Sequence, residues 1–365
     1  MADLTRRQFL KSGLVLSAIG LLPGCYSSSK NKWLVSACTD QQGFHHVAAF
    51  DVNGYIVNQI ALPARAHECL ALPDKPGCAL IVARRPGDYL LEVDFITGKV
   101  VNQTSSEQGF HFYGHGCLLP DGQHICTSEN DYVKGEGRLV VRDRTTLKVV
   151  GKYESGGIGP HQIKVMPDNQ TLVVANGGIL THPNQPRKKL NLDTMRPNLT
   201  YLELKSSKVL ASFETENHQL SIRHLDVSSS GNVVVGMQYQ GAKTDILPLL
   251  YSHRQQSQFE PFKASGTTWL SMKQYIASVC INPELNLVAA SCPRANKITL
   301  WDLSSGEWLT EHKIKDGAGI EISDGGFWVS NGRGELLNAT FSEKTEWFKQ
   351  PSLKWDNHLT SIKAV

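Results

Sequence analysis

The sequence predicts an all-β chain whose strands form seven four-stranded blades closed into a ring, a seven-bladed β-propeller. Three observations predict it. After Asn31 the chain is a series of short runs rich in Val, Ile, Leu and Thr, separated by turn clusters and with no long amphipathic helical pattern. One form recurs within these runs: an apolar strand, a "TGK", "TTLK", "SSK" or "SSGE" turn, and a second strand, as in "YLLEVDFITGKVVNQ" and "KITLWDLSSGEWLTEHKI". The starts of the innermost strands fall at His67, His115, His161, His224, Tyr275, Ala318 and His358, roughly forty to sixty residues apart, the period of a four-stranded blade.

Taken in order, residues 1–25 differ in kind from the rest. "TRRQFLK" closely resembles the twin-arginine export signal, and the apolar run behind it is shorter than the roughly 20 residues that a spanning helix needs. The segment is read as an address that sends the folded protein to the periplasm. Its end, "LLPGC", resembles a lipobox with Cys25 as the lipidated residue, although Pro23 is unusual there. Lipidation, simple cleavage and an uncleaved anchor all stay open. Residues 26–31 read as a linker and 32–365 as the propeller, of WD40- or YVTN-like type. "KWLVSACTD" and "HHVAAFDVNGYIVNQIAL" supply three strands without an inner one, and the final "NHLTSIKAV" supplies an inner strand without a blade. Joined, they close the ring and leave no sheet edge unpaired. Two long connections, "NGGILTHPNQPRKKLNLDTMRPN" in blade four and "YQGAKTDILPLLYSHRQQSQFEPF" in blade five, are of a size that serves a binding face.

Hydrophobic residues make up 41% of the 365 and charged ones 19%, enough apolar material for a sizeable core. A formal net charge of +3 gives no concentrated basic face for nucleic acid or an anionic membrane. Eight cysteines are present, seven of them beyond Cys25. Cys69 and Cys78, like Cys117 and Cys126, flank predicted hairpin turns and could bridge in an oxidising compartment. Folding before export argues instead for small buried hydrophobes.

The chemistry-bearing feature is the histidine that opens five of the seven inner strands. His67, His115, His161, His224 and His358 are expected to gather as a partial ring at one mouth of the channel. Imidazole ligates iron, copper and zinc, so the ring is a transition-metal candidate, with iron the first choice. Arg84, Arg85, Arg294 and Arg333 occupy comparable places after the second strand on that face and, with Arg223 beside His224, would hold an anionic chelator or a carboxylate. Glu68 and Arg223 stand next to ring histidines and are read as orienting them. Against this, the histidine of the Gly-His pair in WD repeats is structural. The register also slips, since His115 precedes its proline by five residues and His67 and His161 precede theirs by six. A wide channel would, besides, hold the rings apart. Metal binding is expected to weaken below about pH 6.5, where imidazole protonates. His124, His218, His253 and His312 carry no pattern and read as surface. No phosphate loop, dinucleotide fingerprint, "GxSxG" elbow, "HExxH" or haem-attachment motif occurs.

Through "TRRQFLK", "AHECLALP", "GHGCLLPDG", "GPHQIKVMPD", "IRHLDVS" and "CPRANKITLWD", the whole chain resembles a family of exported bacterial propellers known only as a domain of unknown function. The resemblance implies a periplasmic accessory in iron uptake, with imelysin-type lipoproteins as partners. A metal-dependent oxidoreductase or lactonase-like propeller is the alternative, since nitrous oxide reductase is similar in architecture, and a docking scaffold without ligand is the third reading.

Overall fold

The computed structural model describes residues 31–51, 53–185, 188–255 and 257–365. The expected export signal, Cys25 and Arg187 of "PRKKL" lie outside these residues.

Seven antiparallel sheets follow one another around the ring. Blade one takes its three outer strands, Lys32–Asp40, His45–Phe50 and Ile56–Ala61, from the start of the described chain. Its inner edge comes from the C-terminal segments Leu353–Trp355 and Thr360–Lys363, both paired to Lys32–Asp40. This is the expected closure, with the inner strand in two pieces rather than one. The inner strands of blades two to seven are Ala66–Ala71, Phe110–Leu118, Pro160–Val165, Leu220–Val227, Ser278–Asn282 and Gly317–Ser323.

Burial follows position in the blade. Second strands such as Thr171–Asn176 and Leu287–Cys292 are buried along their whole length, because neighbouring sheets cover both faces. Fourth strands such as Lys99–Ser105 are largely exposed. The apolar layers between blades form the core, with Val233, Val235, Ile276 and Trp301 among the buried residues where blades five and six meet.

Three details differ from the sequence reading. Tyr275 precedes its inner strand, which starts at Ser278, and only bridges to Gln238. The stretch taken as one long connection in blade five contains that blade's third and fourth strands, Leu250–His253 and Glu260–Pro261. A short helix, Gly266–Ser271, follows; its N-terminus is capped by Ser265, and it stacks Trp269 on Trp301 at 4.9 Å. The seven cysteines of the described chain are free. Cys117 and Cys126 face each other across the ladder without bonding, whereas Cys69 faces Ile81 and Cys78 faces Asp94.

Candidate metal centre

At each histidine-bearing inner strand the ladder is broken beside the ring. In blade two Ala66 pairs with Ala83 and Cys69 with Ile81, so His67 and Glu68 share one opposing residue. Blade four repeats this at His161 and Gln162. In blade three Tyr113, Gly114 and His115 all stand against Ser128. In blade five Arg223 is the extra residue next to His224, and in blade one His358 lies between the two inner segments. Blade six, with no break in its inner pairing, brings no histidine. Bulges re-aim side chains at the cost of local pairing. Here they absorb the slip in register that the sequence spacing showed and turn all five imidazoles inward.

The five rings form a closed circuit. Centroids are 4.7 Å apart for His67 and His115, 4.5 Å for His115 and His161, and 4.8 Å for His161 and His224. They are 5.2 Å apart for His224 and His358 and 4.5 Å for His358 and His67. The rings are buried inside the channel, from 0% exposed for His115 to 8% for His161, rather than set at its mouth. Gly114, at φ +106°, makes room for this. A Cβ there would stand 2.5 Å from Cδ2 of His67, so a side chain would both strain the backbone and displace a ring. Ser36 and Ser128 donate hydrogen bonds to the carbonyls of His358 (2.8 Å) and His115 (3.3 Å) and fix the bulges from the second strand.

The ring nitrogens lack partners. Nδ1 of His67, His161 and His224, Nε2 of His358 and Nε2 of His115 are fully buried without a hydrogen bond among the described residues. His115 Nδ1 has only the Glu68 carboxylate, 3.1 Å away but out of line for a hydrogen bond. Glu68 thus serves the ring of the next blade rather than its neighbour His67, and it also accepts from the Gly116 amide at 3.0 Å. Two triads, His67–His115–His161 and His115–His224–His358, each place one nitrogen per ring within 4.8 Å of the others. Two nitrogens bound at about 2.1 Å to one ion lie at most about 4.2 Å apart. Three nitrogens on one tetrahedral ion stand about 3.4 Å apart, so either set would draw closer together to hold a cation.

Burial, reinforced by the neighbouring rings, depresses the pKa of His67, His161 and His224 well below the ordinary imidazole value; Arg84 or Arg223 adds to the effect at each. His358 is pushed down to about 3 by burial and His115. These four rings therefore stay neutral, with lone pairs free, below the pH 6.5 at which the sequence reading had them protonate. Burial pushes the Glu68 carboxyl up, but the His115 ring and the Gly116 amide outweigh it and keep the group below its usual range.

The channel has two different halves. Beyond the rings in the direction of the inner strands, a cavity of about 520 Å³ is lined by Glu68, Lys164, Asp226, Glu321 and Cys280 and reaches His358. Lys164 Nζ donates to Asp226 Oδ1 at 2.5 Å, and the Ile281 amide donates to Asp226 Oδ2. Sequence reasoning passed over this half, although Asp226 lies two places after His224, the interval that returns a strand side chain to one face.

The opposite half is cationic. Burial lowers the pKa of Arg223 and Lys189, the charge of Arg85 adds to this at both, and Arg294 sits over the Tyr275 ring at 4.0 Å. Arg84 is turned to Asp356, 3.5 Å away, which also holds Arg65. Arg333 is not brought in. It is exposed, in a surface pocket with Asp316 and Glu335. Arg223 makes no contact with a ring nitrogen, so it does not orient His224 in the way its position suggested. The remaining histidines are engaged elsewhere: His46 with Asp40 and His45 with Thr39 in blade one, His111 with Asn130, and His253, buried rather than exposed, with Tyr201.

Residues 60–362 match the family described as "Protein of unknown function (DUF1513)". The chain belongs to that DUF1513 family. The matched span contains all five rings of this DUF1513 propeller, as well as Glu68 and Arg223. No curated protein matches the DUF1513 chain in sequence. Among solved structures it is similar to Kuenenia stuttgartiensis hydrazine synthase, at 11% identity and a TM-score of 0.60, over 87% of this chain and 95% of the other. At that identity the likeness concerns the fold.

Proposed function

We propose that this propeller binds a transition metal ion inside its channel, through imidazoles drawn from His67, His115, His161, His224 and His358. One observation carries the reading: five buried rings in mutual contact, with buried nitrogens that nothing among the described residues satisfies. An unpartnered buried polar group costs about 1–3 kcal/mol, and several together are hard to reconcile with a purely structural role. A bound cation would use those lone pairs. Iron is the proposed metal, with copper and zinc as the other ions that this donor set suits. An accessory role in periplasmic iron uptake, beside imelysin-type lipoproteins, is the biological setting suggested by the family resemblance of the sequence.

The test is elemental analysis of protein purified from its native source, together with the variant in which His115, His161 and His224 are all replaced by Ala. The wild type is expected to carry metal, and the variant to lose it while keeping its β-sheet circular dichroism. Equal metal content in the two proteins would sink the proposal. Metal-dependent catalysis is a second reading. The cavity favours it, because it brings Glu68, Lys164 and Asp226 together with His358 and has room for a small substrate. Turnover by the metal-loaded protein would separate an enzyme from a carrier.

A further inference from the structure

The cationic half of the channel contains an arginine with no partner. Arg223 is only 6% exposed, and its Nε is buried without a hydrogen bond. No carboxylate pairs with it among the described residues; Arg85, Tyr113 and Tyr275 act on it electrostatically, and the Tyr113 hydroxyl meets Thr181 Oγ1 at 3.4 Å. Gly177 backs it closely, since a Cβ there would lie 3.3 Å from Arg223 Nε. Arginine never sheds its proton in practice, so a buried guanidinium needs an anion. The acids that could have served are committed elsewhere: Asp356 to Arg65 and Arg84, Asp226 to Lys164.

We propose that Arg223 and Arg85, with the hydroxyls of Tyr113 and Tyr275, form an anion site on the cationic side of the histidine ring, one that takes the oxygens of a carboxylate or phosphate group. Four blades contribute to it. The guanidinium fork offers two parallel donors to such a group, and the tyrosines add neutral ones. Arg223 adjoins His224 in the strand, so an anion seated there would stand beside the circuit of rings. A metal chelate could therefore be gripped at both its ends, by imidazole on the cation and by arginine on the chelator. The anion site depends on Arg223 and not on the metal, so it can be tested alone.

Calorimetric titration of the metal-stripped full chain with citrate, and separately with inorganic phosphate, tests it. At least one probe is expected to bind. Arg223→Gln should weaken it about 10- to 100-fold, and Arg85→Gln, a change on a half-buried loop, should weaken it by a smaller factor. Citrate alone binding marks a carboxylate site, and phosphate alone a phosphate site. In anion-free buffer Arg223→Gln should melt no lower than wild type, because it removes an uncompensated charge. If neither probe binds, or if both variants bind as the wild type does, the proposal fails. Arg85→Gln decides the matter should Arg223→Gln not fold. Probes that bind a protein devoid of native metal would leave this site standing and defeat the metal reading. Native metal in a protein indifferent to both probes would do the reverse.

Discussion

The walls between strands and the channel they enclose bury the same residue types in opposite ways. In the wall of blade three Arg142 is 1% exposed, and its Nη2 donates to Glu129 Oε1 at 2.8 Å. The Phe112 ring lies below its guanidinium, and the Leu147 carbonyl accepts a further bond. In the wall of blade five His253 is buried against Tyr201, whose hydroxyl meets Nδ1 at 2.7 Å. In the channel Arg223 and five histidines are buried just as deeply and have almost nothing to bind. Each of these wall side chains has at least one hydrogen-bond partner that the fold provides, although Arg142 Nε and His253 Nε2 have none. In the channel Nδ1 of His67, His161 and His224 and Arg223 Nε have no hydrogen bond, and those side chains make none elsewhere among the described residues.

The largest test of this contrast is acid. Burial holds the folded-state pKa of His67, His161, His224 and His358 below that of the unfolded chain. The unfolded state therefore takes up protons first, and the metal-free protein should lose stability as pH falls below about 6.5, by about 1.4 kcal/mol per pH unit for each ring that stays neutral. For His358 this loss runs down to about 3. His253 in the wall is held to about 4 and adds one such step. Urea unfolding between pH 7 and pH 5 measures the slope. The triple-alanine variant, which lacks His161 and His224, should be shallower by about 2.7 kcal/mol per pH unit. An equal slope would show that the channel rings are not held neutral.

Next in size is Glu129→Ala, which strands Arg142 in the wall. It should cost about 3–5 kcal/mol in urea unfolding, whereas Arg223→Gln should cost nothing. If both behaved alike, the distinction between wall and channel would collapse. The smallest effect comes from paired histidine changes in metal-free protein. His253→Leu should destabilise by about 1–3 kcal/mol, because it orphans the Tyr201 hydroxyl. His161→Leu, which breaks no bond, should be neutral or stabilising.

Much of this was legible in the sequence. Strand alternation and the recurring turn forms carried the seven blades and the closure, since both depend on local pattern. The five histidines could be singled out because each opens an inner strand. Their convergence could not be read from register, because bulges are insertions in one strand relative to another and are visible only in the pairing: His115 and His161 differ in spacing to their prolines yet sit 4.5 Å apart. Arg333 looked equivalent to Arg294, but spacing does not encode exposure, and it lies exposed beside Asp316 and Glu335. The solitude of Arg223 was hidden for a related reason. Finding an arginine without a partner means knowing where every acid lies, and Asp356, more than a hundred residues away in sequence, had already been claimed by Arg65 and Arg84.

The split inner strand of blade one gives the circuit of rings a temporal order. His358 is the last of the five to be synthesised, and it reaches the others only when Thr360–Lys363 docks against Lys32–Asp40. Until then the barrel of blades is a horseshoe with four imidazoles and an open seam. A full complement of five can thus exist only in a molecule that has joined its two ends.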